Sequence, residues 1–168
     1  MPDQPTAAAG PPAPRRSILF VCTGNTCRSP LAEALCRKLL ADRLGVGPDE
    51  LEARGYVVRS AGVAAFPGDD ATPEAAEVAR EFGADLTGHR SRPVDPDQLL
   101  AATDVVAMTA AHAAMLALRF PGYGPPPRLL SPDGDLPDPF GNDLAVYRDC
   151  ARTIRTHLDR LVKEWLDS

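Results

Sequence analysis

Cys22 and Arg28 stand six positions apart in the run Cys22-Thr23-Gly24-Asn25-Thr26-Cys27-Arg28-Ser29-Pro30. A thiolate attacks phosphorus, and a guanidinium grips two phosphate oxygens at once. In an arginine-rich chain that spacing is weak evidence alone, and its setting strengthens it. The preceding Ile18-Leu19-Phe20-Val21 is a short apolar run of strand formers, read as a strand buried on both faces. Ser29-Pro30 carries the N-cap and first-turn preferences of a helix start. Gly24 and Asn25 tolerate the backbone angles of a tight turn. A strand-to-helix turn of this kind points N–H groups inward beside the positive end of a helix dipole, which makes an anion site. The same field acts on Cys22: a thiol so placed falls from about 8.5 to between ~3.5 and ~7.5. A fall of about three units is about 4 kcal/mol of thiolate stabilisation. Two other chemistries fail here. A nucleotide-binding loop wants Gly-Lys-Ser/Thr, and this segment has no Lys. A zinc site at Cys22 and Cys27 lacks spacing and partners.

The elements that must position this loop follow from punctuation and periodicity. Leu31, Ala34, Leu35, Leu39 and Leu40 form a helical stripe that Gly45 ends. Residues 56–60, 104–109 and 128–130 read as further strands. Helices are predicted from Thr72-Pro73 to about Phe82, over 96–102, over 110–120 and over about 144–166. In the last, Tyr147, Cys150, Ile154, Leu158, Leu161 and Trp165 keep helical spacing, so Cys150 is read as core. Residues 131–142 hold Pro132, Gly134, Pro137, Pro139 and Gly141 and read as a loop. Strands alternating with helices predict an α/β fold: a three-layer sandwich with a four-stranded parallel sheet and right-handed crossovers. Ligands in such folds bind beyond the carboxyl ends of the strands, where Cys22 lies.

Composition sets the outer limits. The chain has 168 residues, one domain's length, with 44% hydrophobic and 24% charged residues. No apolar run reaches the ~20 residues of a membrane span. A net charge of -5 argues against nucleic-acid and anionic-membrane partners, although a local cluster of donors still suits an anionic substrate. Residues 1–16 are Pro- and Ala-rich and predict a disordered tail, with the folded domain over 17–168. That tail has no apolar signal region, and four cysteines are too few for a disulfide scaffold. Reduced thiols and a cytoplasmic address are the expectation.

The run FVCTGNTCRSPLAEAL resembles the low-molecular-weight protein tyrosine phosphatase family. Asp138-Pro139-Phe140 matches the late loop where that family keeps its general acid. Arg59-Ser60-Ala61-Gly62, Thr87-Gly88-His89-Arg90-Ser91 and Ala107-Met108-Thr109 resemble further family segments, so the likeness spans about 17–166. It implies catalysis without metal or cofactor. Cys22 forms a phosphocysteine. Arg28 and the backbone of Thr23, Gly24, Asn25, Thr26, Cys27 and Ser29 hold the phosphoryl oxygens. Asp138 protonates the leaving group and then activates water. Asn25 resembles the family asparagine held in a left-handed turn, and Ser60 and His89 match residues that brace the loop. Ser29 is read as hydrogen-bonding Cys22, as capping the helix, or as both. Cys27 is implied as a redox partner that shields Cys22 from over-oxidation. His112 and His157 fall in no matched motif and are read as structural. The partners implied are phosphorylated proteins, with inorganic phosphate as product.

Thr26 and Phe140 bear on substrate. Phosphotyrosine-directed members usually carry an aliphatic residue where Thr26 stands, and often a second aromatic after the one matching Phe140; here Gly141 follows. The chain therefore resembles the protein arginine phosphatase branch, with phosphotyrosine as the alternative. An arsenate reductase of the same fold needs relay cysteines downstream, and none lies between Cys36 and Cys150. A non-catalytic phosphoprotein-binding module would keep Arg28 but lose Cys22 or Asp138.

Overall fold

Side chains alternate along the first strand, and that alternation builds the layers. A computed structural model describes residues 13–168. Strand β1 (Arg16–Cys22) lies inside the sheet, with β2 (Tyr56–Gly62) on one side and β3 (Asp104–Ala107) on the other. The short β4 (Arg128–Leu129) extends the sheet past β3, giving the order β2-β1-β3-β4 with every pairing parallel. Helices α1 (Arg28–Leu44), α2 (Pro73–Glu81), α3 (Pro96–Ala101), α4 (Ala110–Arg119) and α5 (Leu144–Asp167) supply the crossovers and flanks.

Ile18, Phe20 and Cys22 face one apolar cluster, shared with buried residues of α1, α2 and α5. Leu19 and Val21 face a second, shared with Leu99 of α3 and Leu116 of α4. Both faces of β1 are thus covered, as its unbroken apolar run requires. Phe20 is fully buried, and a side chain of that size contributes roughly 1.5–3 kcal/mol by burial.

Four expectations shift at element ends. β1 starts at Arg16, inside the stretch assigned to the tail: Arg16 pairs with Tyr56 in the sheet and its guanidinium lies 3.3 Å from Asp104. Of the rest of that assignment, residues 13–15 precede the strand without regular structure and residues 1–12 lie outside the described residues. β2 runs on to Gly62. Thr109 leaves β3 to cap α4, its Oγ1 accepting from His112 N. β4 stops at Leu129, one residue short of the expected 128–130, and a 3₁₀ turn at Pro48–Glu50, unforeseen, follows α1. The helix stop at Gly45 is as expected: its φ of 69° suits glycine, and its N–H reaches back to Ala41 and Asp42. No helix among the described residues is long and apolar enough to cross a membrane.

Candidate active site

Residues 23–27 turn between β1 and α1, and the carbonyls of Cys22, Thr23, Asn25 and Thr26 are taken up by neighbouring segments. Val63 N–H donates to Cys22 O, Ala64 N–H to Thr23 O, and Thr72 N–H to Thr26 O, at 2.9–3.0 Å. His89 Nε2 donates to Asn25 O at 2.8 Å. With oxygens engaged on the outside, N–H groups are left facing in, and those of Asn25 and Ser29 favour negative charge on the Cys22 sulfur. Asn25 makes the turn: its φ is 57°, and it is the only described non-glycine residue with positive φ.

The Asn25 side chain is buried and fully used. Nδ2 donates to Ser29 Oγ at 2.8 Å and to Ser60 Oγ at 2.9 Å, and Oδ1 accepts from Arg92 N at 3.0 Å. Ser29 Oγ, taking a hydrogen from Asn25, has its own hydrogen for Cys22 Sγ, 2.8 Å away. Ser29 does not cap the helix. α1 begins at Arg28, two residues earlier than a Ser29 cap would place it, with Cys27 as N-cap and no side-chain cap bond.

Arg28 is buried, and its Nη1 donates to Leu136 O at 2.9 Å. Its Nη2 lies 3.7 Å from Asp138 Oδ2, and Asp138 Oδ1 accepts from Phe140 N at 3.1 Å. Leu136 is the anchor of this late loop, since its N–H donates to Met108 O at the end of β3. Cys22, Thr23, Gly24, Thr26, Cys27, Arg28, Asp138 and Phe140 together line a cavity of about 230 Å³. A second cavity, of about 600 Å³, adjoins it across Gly24, Thr26 and Phe140 and extends to Phe66 and Asp69. Every residue proposed from sequence for catalysis, phosphate binding or selectivity is at this cavity or, like Asn25 and Ser29, in the wall behind it. Ser60 and His89 stand on the outer side of the loop.

One electrostatic expectation is reversed. Burial pushes the Cys22 thiol up. It outweighs the Ser29 hydroxyl, the N–H groups of Ser29 and Asn25, and the Arg28 charge, all of which pull it down. The sequence displays the donors but not the depth of the sulfur, which is 3% exposed as a residue. Cys150, read as core, is buried, and its thiol is pushed up to about 12, chiefly by burial. All four cysteines are free.

Five contributors escaped the sequence reading. Gly62 lies directly under the turn: a Cβ there would come within 2.3 Å of Thr23 O and 3.0 Å of Asn25 N. Tyr147 OH sits 3.3 Å from Cys27 Sγ, and Thr72 Oγ1 sits 3.6 Å from it. His112 Nε2 lies 2.8 Å from Thr23 Oγ1. Leu136 holds Arg28. The α2 cap at Thr72-Pro73 and the buried stripe through Tyr147 were visible signals of structure, but neither pointed to the loop.

A sulfur at the floor of an N–H-lined turn, beside a guanidinium and under a carboxylate, defines a cysteine-dependent phosphatase site on a parallel α/β fold. Residues 17–167 match the family profile described as low molecular weight phosphotyrosine protein phosphatase, and the chain belongs to that family. A protein-arginine-phosphatase of Geobacillus stearothermophilus is 38% identical over 152 residues, covering 88% of this chain and 94% of the relative. A solved structure of the YwlE arginine phosphatase, a mutant with a phosphorylated active-site serine in place of cysteine, superimposes with a TM-score of 0.77. It is 37% identical over 88% of this chain and 94% of the other. A low molecular weight protein tyrosine phosphatase from T. tengcongensis reaches 0.78 at 34% identity, covering 89% and 99%. The chain is a phosphatase with a four-stranded parallel sheet, and the family acts on phosphorylated proteins.

Proposed function

We propose that this phosphatase removes phosphoryl groups from protein arginine. Cys22 Sγ attacks phosphorus in line, and the bond to the leaving nitrogen breaks as the S–P bond forms. The Ser29 hydroxyl, the inward N–H groups and the Arg28 charge reduce the cost of forming the thiolate for that step, offsetting part of the burial that favours the thiol. Arg28, positioned by Leu136 O, and the turn's N–H groups take the three equatorial oxygens. Asp138 gives its proton to the leaving guanidine. It then takes one from the water that splits the phosphocysteine, releasing inorganic phosphate. Asn25, with Ser60 and His89 behind it, keeps the turn in its left-handed form. Under a peroxide, Cys22 would become a sulfenic acid, and the Cys27 thiol would displace water from it to form a disulfide.

The observation that carries the substrate reading is Thr26 lining both cavities together with Phe140, which Gly141 and not a second aromatic follows in the chain. A short hydroxylated side chain leaves room and a polar partner for a planar guanidinium. A phenol ring gains more from an aliphatic wall and a second aromatic. The relatives named as arginine phosphatases support the same reading. The test compares initial rates on a phosphoarginine protein and a phosphotyrosine peptide, with Cys22→Ser as blank. The expected result is preference for phosphoarginine and no turnover by the blank, which still binds phosphate. Preference for phosphotyrosine overturns the substrate and leaves the nucleophile in place. Turnover by Cys22→Ser near the wild-type rate overturns the nucleophile.

A further inference from the structure

One buried side chain reaches the phosphate loop from α4 and has no part in the mechanism above. His112 sits in the first turn of α4 and is 5% exposed. Its Nε2 lies 2.8 Å from Thr23 Oγ1, and its Nδ1 is buried with no hydrogen-bond partner among the described residues. An unpaired buried polar atom is costly, so its retention here asks for a reason.

The reason lies in the single hydrogen of the Thr23 hydroxyl. Thr23 follows the nucleophile directly and lines the cavity. When His112 Nε2 accepts that hydrogen, Thr23 turns only oxygen lone pairs toward the cavity, which opposes an anion. When Nε2 carries a hydrogen and donates it, the Thr23 hydrogen is free to face the anion. Nδ1 is unpaired either way, so nothing on that side of the ring selects the tautomer. We propose that His112 is a positioning residue: its Nε2–H donates to Thr23 Oγ1 and so turns the Thr23 hydroxyl hydrogen onto the bound phosphoryl group. The charged groups near the ring are Arg28, Asp135 and Asp138. Burial first, and then Arg28, outweigh the two carboxylates and lower the imidazole to about 4, so the ring works neutral.

This inference rests on residues 22–29 being the phosphate site, and the test separates the two. Titration calorimetry with inorganic phosphate at pH 7.5 reads binding without turnover. It is run on the full chain as wild type, Thr23→Val, His112→Leu, His112→Gln and the double variant Thr23→Val/His112→Leu. Thr23→Val and His112→Leu are each expected to weaken phosphate binding about tenfold, the loss for one hydrogen bond to a charged group. The double variant should bind no worse than Thr23→Val alone, because both remove the same bond. His112→Gln, which keeps an N–H donor on a side chain of similar reach, should recover most of the affinity. A purely structural role for His112 would instead lower Tm and leave the loss present in the Thr23→Val background. Thr23→Val binding like wild type overturns the proposal, and so do additive losses in the double variant. If His112→Leu does not fold, Thr23→Val and His112→Gln carry the test: wild-type binding by the first, or a tenfold loss in the second, overturns the proposal. Absence of binding by the wild type overturns the phosphate-site reading itself.

Discussion

Asp138 stands half exposed at the rim of the cavity, with one carboxylate oxygen on Phe140 N–H and the other 3.7 Å from Arg28. That geometry leaves it room to meet a leaving group arriving from solvent. Asp138→Asn keeps the shape and removes the proton, so kcat should fall by roughly 10²–10⁴ while inorganic phosphate binds as before. A rate within a few-fold of wild type would assign the acid elsewhere. Thr26 is the other residue whose chemistry is its own. Its hydroxyl lies 3.8 Å from Cys27 Sγ, and the residue lines both cavities. Thr26→Ile should lower kcat/KM for phosphoarginine and raise it for phosphotyrosine; a ratio unchanged across both substrates would remove Thr26 from specificity. The sequence makes both residues stand out by motif. His112 had no such signal, because its meaning comes from a hydroxyl 89 positions away in the chain.

At the scale of elements, the active turn is clamped between the ends of three strands. β2 ends at Gly62 beneath it, the segments after β2 and before α2 take its carbonyls, and β3 holds the late loop through Met108. Gly62 is the tightest point. Adding one methyl there meets Thr23 O, Asn25 N and the Ala65 side chain together. Gly62→Ala should therefore displace the turn, cost about 1–3 kcal/mol of stability by overpacking, and lower kcat/KM at least tenfold. Chemical denaturation and steady-state kinetics on the same preparation check both; wild-type kinetics would show that the turn accommodates the methyl. The strands and helices themselves were legible from apolar runs and from the start and stop signals at Thr72-Pro73 and Gly45. The start of α1 was not. Ser29 has the best cap chemistry in the segment, yet its hydroxyl is spent on Cys22 and Asn25, and the helix begins without it.

For the molecule as a whole, buried groups set the pH range of stability. His112 has its value lowered from 6.5 to about 4 by burial, so between those limits the unfolded chain binds the extra proton. Stability should therefore fall as pH drops from about 6.5 toward about 4. Burial raises Cys36 and Cys150 above the ordinary 9.0, the latter to about 12, so above 9.0 the unfolded chain loses protons that the folded one keeps. Stability should fall again as pH rises past 9.0. Urea midpoints at pH 4.5, 7.5 and 10 should peak at the middle value. His112→Gln should flatten the acid arm and Cys150→Ala the alkaline one. Unchanged arms in those variants would mean that other groups carry the pH dependence.

The order of strands and helices along the chain and the loop from Cys22 to Ser29 were legible in the sequence alone, through apolar period, cap and turn residues, and side-chain types at short spacing. Asp138 was singled out as the proposed acid by the likeness of Asp138-Pro139-Phe140 to a family segment. Only the tertiary structure decided what lies far apart in the chain. It brought Gly62 under the turn, Leu136 O onto Arg28, Tyr147 onto Cys27 and His112 onto Thr23. It also reversed the expected shift of the Cys22 thiol. Donors beside a sulfur can be read from neighbours in sequence, but burial is a property of everything packed around it, and here burial is the larger effect.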